Sequence, residues 1–273
     1  MGVGLALKRS RLGLQAGLVA VLVPGLVLGS AFAVLPRFAG SCGTRAEPTS
    51  VGTDQGTLAA SASITLRSGC GTLNVRTQAG DGWRLDSGST SGRTPTIEAT
   101  DGSLTIRAAN GRGWDALSGG RDRWDLAIPT GEIEDITLVT NASRSHVDLA
   151  GARVGSVSMT GNLSDVVLDA TSASIGDLSA VLNTGRLSVS LPASSDLAGS
   201  LRVGGGDLLI CVPPNVGVLV TTRGFASEFL VEGAPHADPT YQNAGYESAL
   251  IRADLDVRLN FGSIEINPIG GCR

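Results

Sequence analysis

The sequence predicts an all-β fold, a single-stranded β-helix (β-solenoid) with coils of about 21 residues, preceded by one N-terminal transmembrane helix. Two observations predict it. Apolar doublets recur at a fixed interval along the middle of the chain, and an uncharged apolar run lies close to the N-terminus. The core would consist of aliphatic side chains, because the 273 residues include only 5 Phe, 3 Trp and 2 Tyr. Such side chains, many of them β-branched, suit stacked strands.

The doublets have i, i+2 spacing, which places both side chains on one face of a strand. A strand motif repeated at this kind of period is typical of a solenoid. The doublets are Leu126/Ile128, Val147/Leu149, Val166/Leu168, Leu187/Val189, Leu208/Ile210 and Phe229/Val231. A second series, Ile133, Val154, Ile175 and Leu197, keeps the same interval, so each coil contains two or three short strands.

Residues 12–35 carry no charge and are long enough to cross a bilayer as a helix. Lys8, Arg9 and Arg11 precede the run, which predicts residues 1–11 in the cytoplasm and the remaining chain outside the cell membrane. The alternative is a cleaved signal peptide, since Ala31-Phe32-Ala33 has the form of a cleavage site. In both interpretations the rest of the chain is exported.

Residues 36–62 are rich in Gly, Ser, Thr and Pro and are expected to form a tether. Residues 63–273 are expected to form the extracytoplasmic solenoid domain, with a loop at 110–123. A solenoid must cover both of its exposed edges. The first strands and the final segment 248–267 are the predicted caps, and the coils are expected to stack in chain order.

The charge balance argues against a nucleic-acid partner. The formal net charge is −4, and Lys8 is the only lysine. Outside the N-terminal segment no basic stripe of the kind that binds phosphates is visible.

Four cysteines, Cys42, Cys70, Cys211 and Cys272, allow three disulfide connectivities in an exported domain. Cys211 alternates out of phase with its apolar neighbours and is expected to face outward. No C-x-x-C pair occurs, so no metal site is predicted.

No catalytic constellation is evident, and the sequence predicts no enzyme, cofactor or metal. His146 and His236 are far apart and are expected on the surface. Asp148, Asp165, Asp169 and Asp207 fall on outward strand positions, which suits a solvated face. Asp148 and Asp169 could stack in adjacent coils, the one pairing that would suit glycoside hydrolysis. Ser188 is predicted to face outward, beside Val189 and Ile210 stacked in the core.

Asn141, Asn162 and Asn183 recur at the coil interval in turn-like settings. We expect their side-chain amides to bond to one another along the stack.

Residues 206–267 resemble the β-helical "toastrack" or putative-adhesin domains of bacterial envelope proteins. The resemblance rests on Val212-Pro213-Pro214, on Gly224-Phe225, on the turn from Tyr241 to Tyr246, and on Phe261-Gly262-Ser263. It departs at residues 226–228, where a further Gly is expected. The resemblance implies a β-helix attached to a membrane segment, in some members beside envelope-stress systems of the Lia type, and it implies no catalytic residue.

These observations predict a membrane-anchored module that acts as a non-catalytic envelope sensor, scaffold or adhesin-like domain, with an envelope protein or glycan as partner and residues 12–35 in the membrane. One alternative is a polysaccharide-active β-helix enzyme, which a cleft with three or more convergent carboxylates or arginines would favour. Another is an accessory subunit of an envelope-stress signalling system. Its helix could pair through Gly13/Gly17 and Gly25/Gly29.

Overall fold

The computed structural model describes residues 47–109, 120–224 and 227–272. These residues form one compact unit, and its strands belong to a single sheet of 18 strands that surrounds a continuous apolar core. The first nine strands are β1 Thr49–Thr57, β2 Ala62–Ser68, β3 Gly71–Gln78, β4 Gly82–Ser89, β5 Thr96–Thr100, β6 Ser103–Arg107, β7 Asp122–Pro129, β8 Glu132–Asn141 and β9 Ser143–Asp148. The others are β10 Arg153–Asn162, β11 Ser164–Asp169, β12 Ser174–Ser190, β13 Leu197–Cys211, β14 Val216–Gly224, β15 Ser227–Val231, β16 Ala234–Pro235, β17 Thr240–Gln242 and β18 Ile251–Ile266. A short 3-10 helix, Tyr246–Ser248, precedes β18.

The middle of the chain stacks in parallel at the predicted interval. Val154 is the Cα partner of Ile133 on one side and of Ile175 on the other, 21 residues away in each direction. On the other half of each coil, Leu168 pairs with Val189 and Val189 pairs with Ile210. All of these side chains are buried, because alternate residues of each strand point inward.

One register differs from the predicted alignment. Val147 lies beside Leu168, and Ser145 takes the place opposite Val166. Ser145 is fully buried, and its hydroxyl lies 3.2 Å from that of Ser143. A serine therefore occupies an inward position where the doublet pattern placed an apolar residue.

The predicted fold class, a single-stranded β-helix, is wrong for the described part of the chain, because the coils do not stack in chain order. Strands β2 and β3 lie between β6/β7 and β8/β9, instead of at the start of the stack. Strand β18 lies between β13 and β14/β15, instead of at the end. The spatial order is β6/β7, β2/β3, β8/β9, β10/β11, β12, β13, β18, β14/β15.

Antiparallel strands cover both ends of the stack. Strands β4 and β5 pair with β7 and β6, and β1 pairs with β4. At the other end, β16 and β17 pair with β15 and β14. Segment 248–267, predicted as a cap, is thus an internal coil, and β1 lies within the segment assigned to the tether.

The transmembrane helix predicted over residues 12–35 lies outside the described residues. In the part of the chain that the structure describes, no helix is long and apolar enough to cross a membrane. Residues 110–119 of the predicted loop are likewise outside the description.

A column of glycines forms the corner between the two halves of the later coils. Gly185, Gly206 and Gly262 are successive Cα partners with φ between +127° and +133°. A Cβ atom on Gly206 would lie 1.8 Å from the carbonyl oxygen of Gly185. Only glycine allows both this backbone conformation and this close approach.

The asparagine ladder is present beside this corner. The Asn162 amide donates to Asn141 Oδ1 at 2.8 Å, and the Asn183 amide donates to Asn162 Oδ1. The three residues therefore stabilise the stack, as their interval predicted.

Cys211 and Cys272 form a disulfide, and Cys70 is disulfide-bonded as well. Cys42 lies outside the described residues. The Cys211–Cys272 bond joins the end of β13 to the segment that follows β18, and so fastens the inserted strand to its neighbour.

Replacing Val189 or Ile210 with Asp should lower the free energy of unfolding by about 3–5 kcal/mol, because an unpaired charge would be buried in the core. Denaturant titration measures the loss. The control is Ser158→Asp on the exposed side of β10, which should change stability by less than about 0.5 kcal/mol. Wild-type stability of Val189→Asp would contradict the register.

Ser188 is not a suitable control, although its position in the alternation of β12 predicted that it faces solvent. It is 0 % exposed, and its hydroxyl has no hydrogen-bond partner among the described residues. The prediction that Ser188 faces solvent is wrong, since Leu187, Ser188 and Val189 are all buried.

Replacing Cys211 and Cys272 together with Ser should lower the free energy of unfolding by about 4 kcal/mol. The disulfide closes a loop with a sequence separation of 61 residues, and its loss frees the unfolded chain. Thermal unfolding with and without reductant measures the effect. A double variant as stable as the oxidised parent would show that the bond does not hold β18 in place.

Candidate functional site

The candidate site lies on the outer side of the first half of each coil, which we call the ladder face. Here the outward residues of β6, β2, β8, β10, β12, β13, β18 and β14 form rows that run along the stack. The central row consists of Thr105, Thr65, Thr137, Ser158, Ser179, Ser200, Asp256 and Thr221, each the Cα partner of the next. A row of seven hydroxyl groups and one carboxylate therefore crosses eight coils.

A groove of about 540 Å³ opens on this face around β13. The outward residues of β13, Ala198 and Ser200, are small, whereas their neighbours on β12 and β18 include Asp177 and Asp254. The small side chains leave a depression between the larger ones. The polar lining consists of Asp177, Asp254, Asp256, Arg223, Ser179, Ser200 and Thr221.

Two of the groove carboxylates have partners at the rim. The Tyr246 hydroxyl donates to Asp254 Oδ1 at 2.6 Å, and this hydrogen bond is the main cause that raises the pKa of Tyr246. The Arg223 Nε atom lies 3.9 Å from Asp256 Oδ1. The Arg252 guanidinium lies 5.3 Å from the centre of the Tyr246 ring, which fixes the ring beside the groove.

The carboxylates that the sequence singled out lie elsewhere, on the outer side of the second half of each coil. Asp148 and Asp169 are Cα partners, as their interval predicted. Each accepts a hydrogen bond from the backbone of its own turn. Asp148 accepts a hydrogen bond from the backbone amide of Ala150, and Asp169 accepts one from the backbone amide of Thr171, both at 3.0 Å.

The other predicted surface residues are also placed apart from the groove. Asp165 lies between Arg144 and Arg186, and Asp207 forms an ion pair with Arg186 at 3.2 Å. His146 is exposed beside Asn74. His236 packs edge-on against Phe229 in the cap, with ring centres 5.0 Å apart.

No cluster of His, Cys, Asp and Glu that could hold a metal ion occurs among residues 47–109, 120–224 and 227–272. Sequence reasoning missed Asp177, Asp254, Asp256 and Arg223. The available signal was the alternation of Asp254, Asp256 and Arg258 with buried residues in β18, but that pattern alone does not say which coil lies beside it.

No family model matches the sequence, and no curated protein matches it. Solved structures do match. A putative cell adhesion protein from Clostridium sporogenes is 13% identical over 81% of this chain and 100% of its own, with a TM-score of 0.49. A putative adhesin from Bacteroides fragilis is 12% identical over 78% of this chain and 95% of its own, with a TM-score of 0.40.

A putative adhesin from Parabacteroides merdae is 9% identical over 79% of this chain and 95% of its own, with a TM-score of 0.28. Similarity at these TM-scores gives no information about the functional site. These three solved structures are described as a putative cell adhesion protein and two putative adhesins, in agreement with the resemblance seen in residues 206–267.

Proposed function

We propose that this chain is a non-catalytic, adhesin-like contact module that binds a hydroxyl-rich polymer, such as a glycan, along the ladder face. The groove around β13 is the observation that carries the proposal. It presents carboxylates, hydroxyls and a guanidinium on a surface built from paired strands. Binding there would need little ordering of the protein, which favours affinity.

The chemistry of the lining suits sugar hydroxyls. Asp177, Asp254 and Asp256 can accept hydrogen bonds from hydroxyl groups, and Ser179 and Ser200 can both donate and accept. The hydroxyl row continues beyond the groove toward β6. A polymer would therefore meet similar groups coil after coil, whereas a single sugar would use only the groove.

Three carboxylates in one groove also favour the enzyme alternative, a polysaccharide-active β-helix protein. Glycoside hydrolysis requires one carboxyl group that holds a proton and one that does not. Asp254 already accepts from Tyr246, and Asp256 is paired with Arg223. These contacts support binding without bond cleavage.

The proposed location is outside the cytoplasm. The Cys211–Cys272 disulfide supports it, because such bonds persist in oxidising compartments. Attachment to the membrane through residues 12–35, and a role beside an envelope-stress signalling system, are part of the proposal and rest on the sequence alone.

Replacing Asp254 and Asp256 together with Ala should weaken binding of a neutral glycan by about tenfold or more, because hydrogen bonds to charged groups are lost. Asp165→Ala with Asp207→Ala, on the other face, is the matched control and should bind normally. Titration calorimetry against glycans that bind the parent chain measures both. Equal loss in the two variants, or no binding of any glycan, would contradict the proposal.

The same glycans should remain uncleaved by the parent chain, as judged by release of reducing ends. The reason is that two of the three groove carboxylates already have protein partners, Tyr246 for Asp254 and Arg223 for Asp256. Cleavage by the parent chain that is lost when Asp254 and Asp256, or Asp148 and Asp169, are replaced with Asn would show that the protein is an enzyme. It would contradict the proposed contact module.

Protease added to intact protoplasts should digest residues 37–273 and leave a short N-terminal fragment in the membrane, because the uncharged run at 12–35 would be retained there. Immunoblotting of the membrane fraction with an N-terminal tag detects the fragment. Recovery of a soluble product beginning at Val34 would instead show a cleaved signal peptide.

A further inference from the structure

Three arginines are stacked on adjacent strands of the ladder face. Arg202 on β13 is the Cα partner of Arg258 on β18, and Arg258 is the partner of Arg223 on β14. All three side chains are exposed, and neighbouring strands lie about 4.8 Å apart. Like charges directly opposite each other in a sheet are destabilising. We call these residues the arginine stack.

The opposite arrangement occurs on the other face, along β9, β11, β12 and β13. There the successive Cα partners are Arg144, Asp165, Arg186 and Asp207, so the charge changes sign at every step. Parallel pairing, and hence strand spacing, is common to both faces. The repulsion in the arginine stack is therefore a property of its side chains and not a consequence of the fold.

The stack is also poorly neutralised within the protein. Arg223 has one long ion pair, with Asp256 at 3.9 Å. In the described parts of the chain no carboxylate lies within 4.0 Å of the guanidinium of Arg202 or Arg258. Three guanidinium groups thus face solvent with most of their hydrogen-bond donors unused.

The arginine stack runs alongside the groove. Arg202 lies two residues after Ser200, and Arg258 two residues after Asp256, so each arginine is on the same side of its strand as a groove residue. A ligand in the groove would place its substituents over the stack. Guanidinium groups bind carboxylate, sulfate and phosphate groups through paired hydrogen bonds.

We infer that the ladder face binds an acidic polysaccharide, with sugar hydroxyls in the groove and anionic substituents on the arginine stack. The inference rests on the proposed function and adds the class of glycan. The groove favours sugar hydroxyls over a nucleic acid, because its serine hydroxyls and its three carboxylates can form hydrogen bonds with hydroxyl groups.

The test compares polygalacturonate oligomers with their methyl esters, which share the sugar backbone but lack the charge. The purified full-length chain should bind the acid form more tightly, and the preference should shrink as salt is added. Arg202→Gln with Arg258→Gln should weaken binding of the acid form by about tenfold or more and leave binding of the ester unchanged. Arg144→Gln with Arg186→Gln removes the same charge from the other face and should behave as the parent.

A preference for heparin over desulfated heparin, with the same dependence on Arg202 and Arg258, would support the inference with sulfate as the anion. Equal binding of polygalacturonate and its ester would overturn the inference and leave the proposed function intact. Equal losses in the two arginine pairs would also overturn it, because the effect would then be one of net charge. Duplex DNA that binds through the arginine stack as tightly as the glycans would overturn the assignment to polysaccharides.

Discussion

The main-chain pairing of β18 on both of its edges is the constraint on which the rest of this structure depends. Residues 253–266 pair with β13 on one side, and residues 251–266 pair with β14 and β15 on the other. The insertion brings Asp254, Asp256 and Arg258 into the middle of the ladder face. Without it, Arg202 would not have Arg258 beside it, and the groove would lose two of its three carboxylates. The Cys211–Cys272 disulfide holds the chain after β18 against β13 and so reinforces this arrangement.

The two faces of the stack show how one backbone can serve two purposes. The face with Arg186 and Asp207 neutralises itself, and it contributes modestly to stability, as exposed ion pairs do. The ladder face instead carries solvent-facing hydroxyls and, in the arginine stack, like charges on adjacent strands. The glycine column at Gly185, Gly206 and Gly262 lets the chain turn between these faces at the same point in successive coils, so each row remains in register.

The sequence predicted what depends on local alternation and on a fixed period. The partners Ile133, Val154 and Ile175, the pairing of Asp148 with Asp169 and the asparagine ladder all follow from residue spacing alone. The order of the coils does not. The buried residues of β2 and β18 alternate in the same way as those of the neighbouring strands. This alternation is therefore compatible with any position in the stack. Ser188 shows a second limit, because alternation predicts the side of a strand but not whether that side is covered.

The residues of the candidate site come together only through the order of the coils, which residue spacing does not predict. His146, Asp148 and Asp169 drew attention because their residue types suggest chemistry, yet the two aspartates bind their own turns. Asp254, Asp256 and Arg258 look like ordinary outward residues until β18 is placed between β13 and β14. Natural proteins tend to break local rules of stability at functional sites. The arginine stack breaks such a rule, that like charges avoid facing each other across strands, and it does so beside the groove. An anionic ligand supplies what the stack lacks, since it would replace repulsion between neighbouring guanidinium groups with paired hydrogen bonds to each of them.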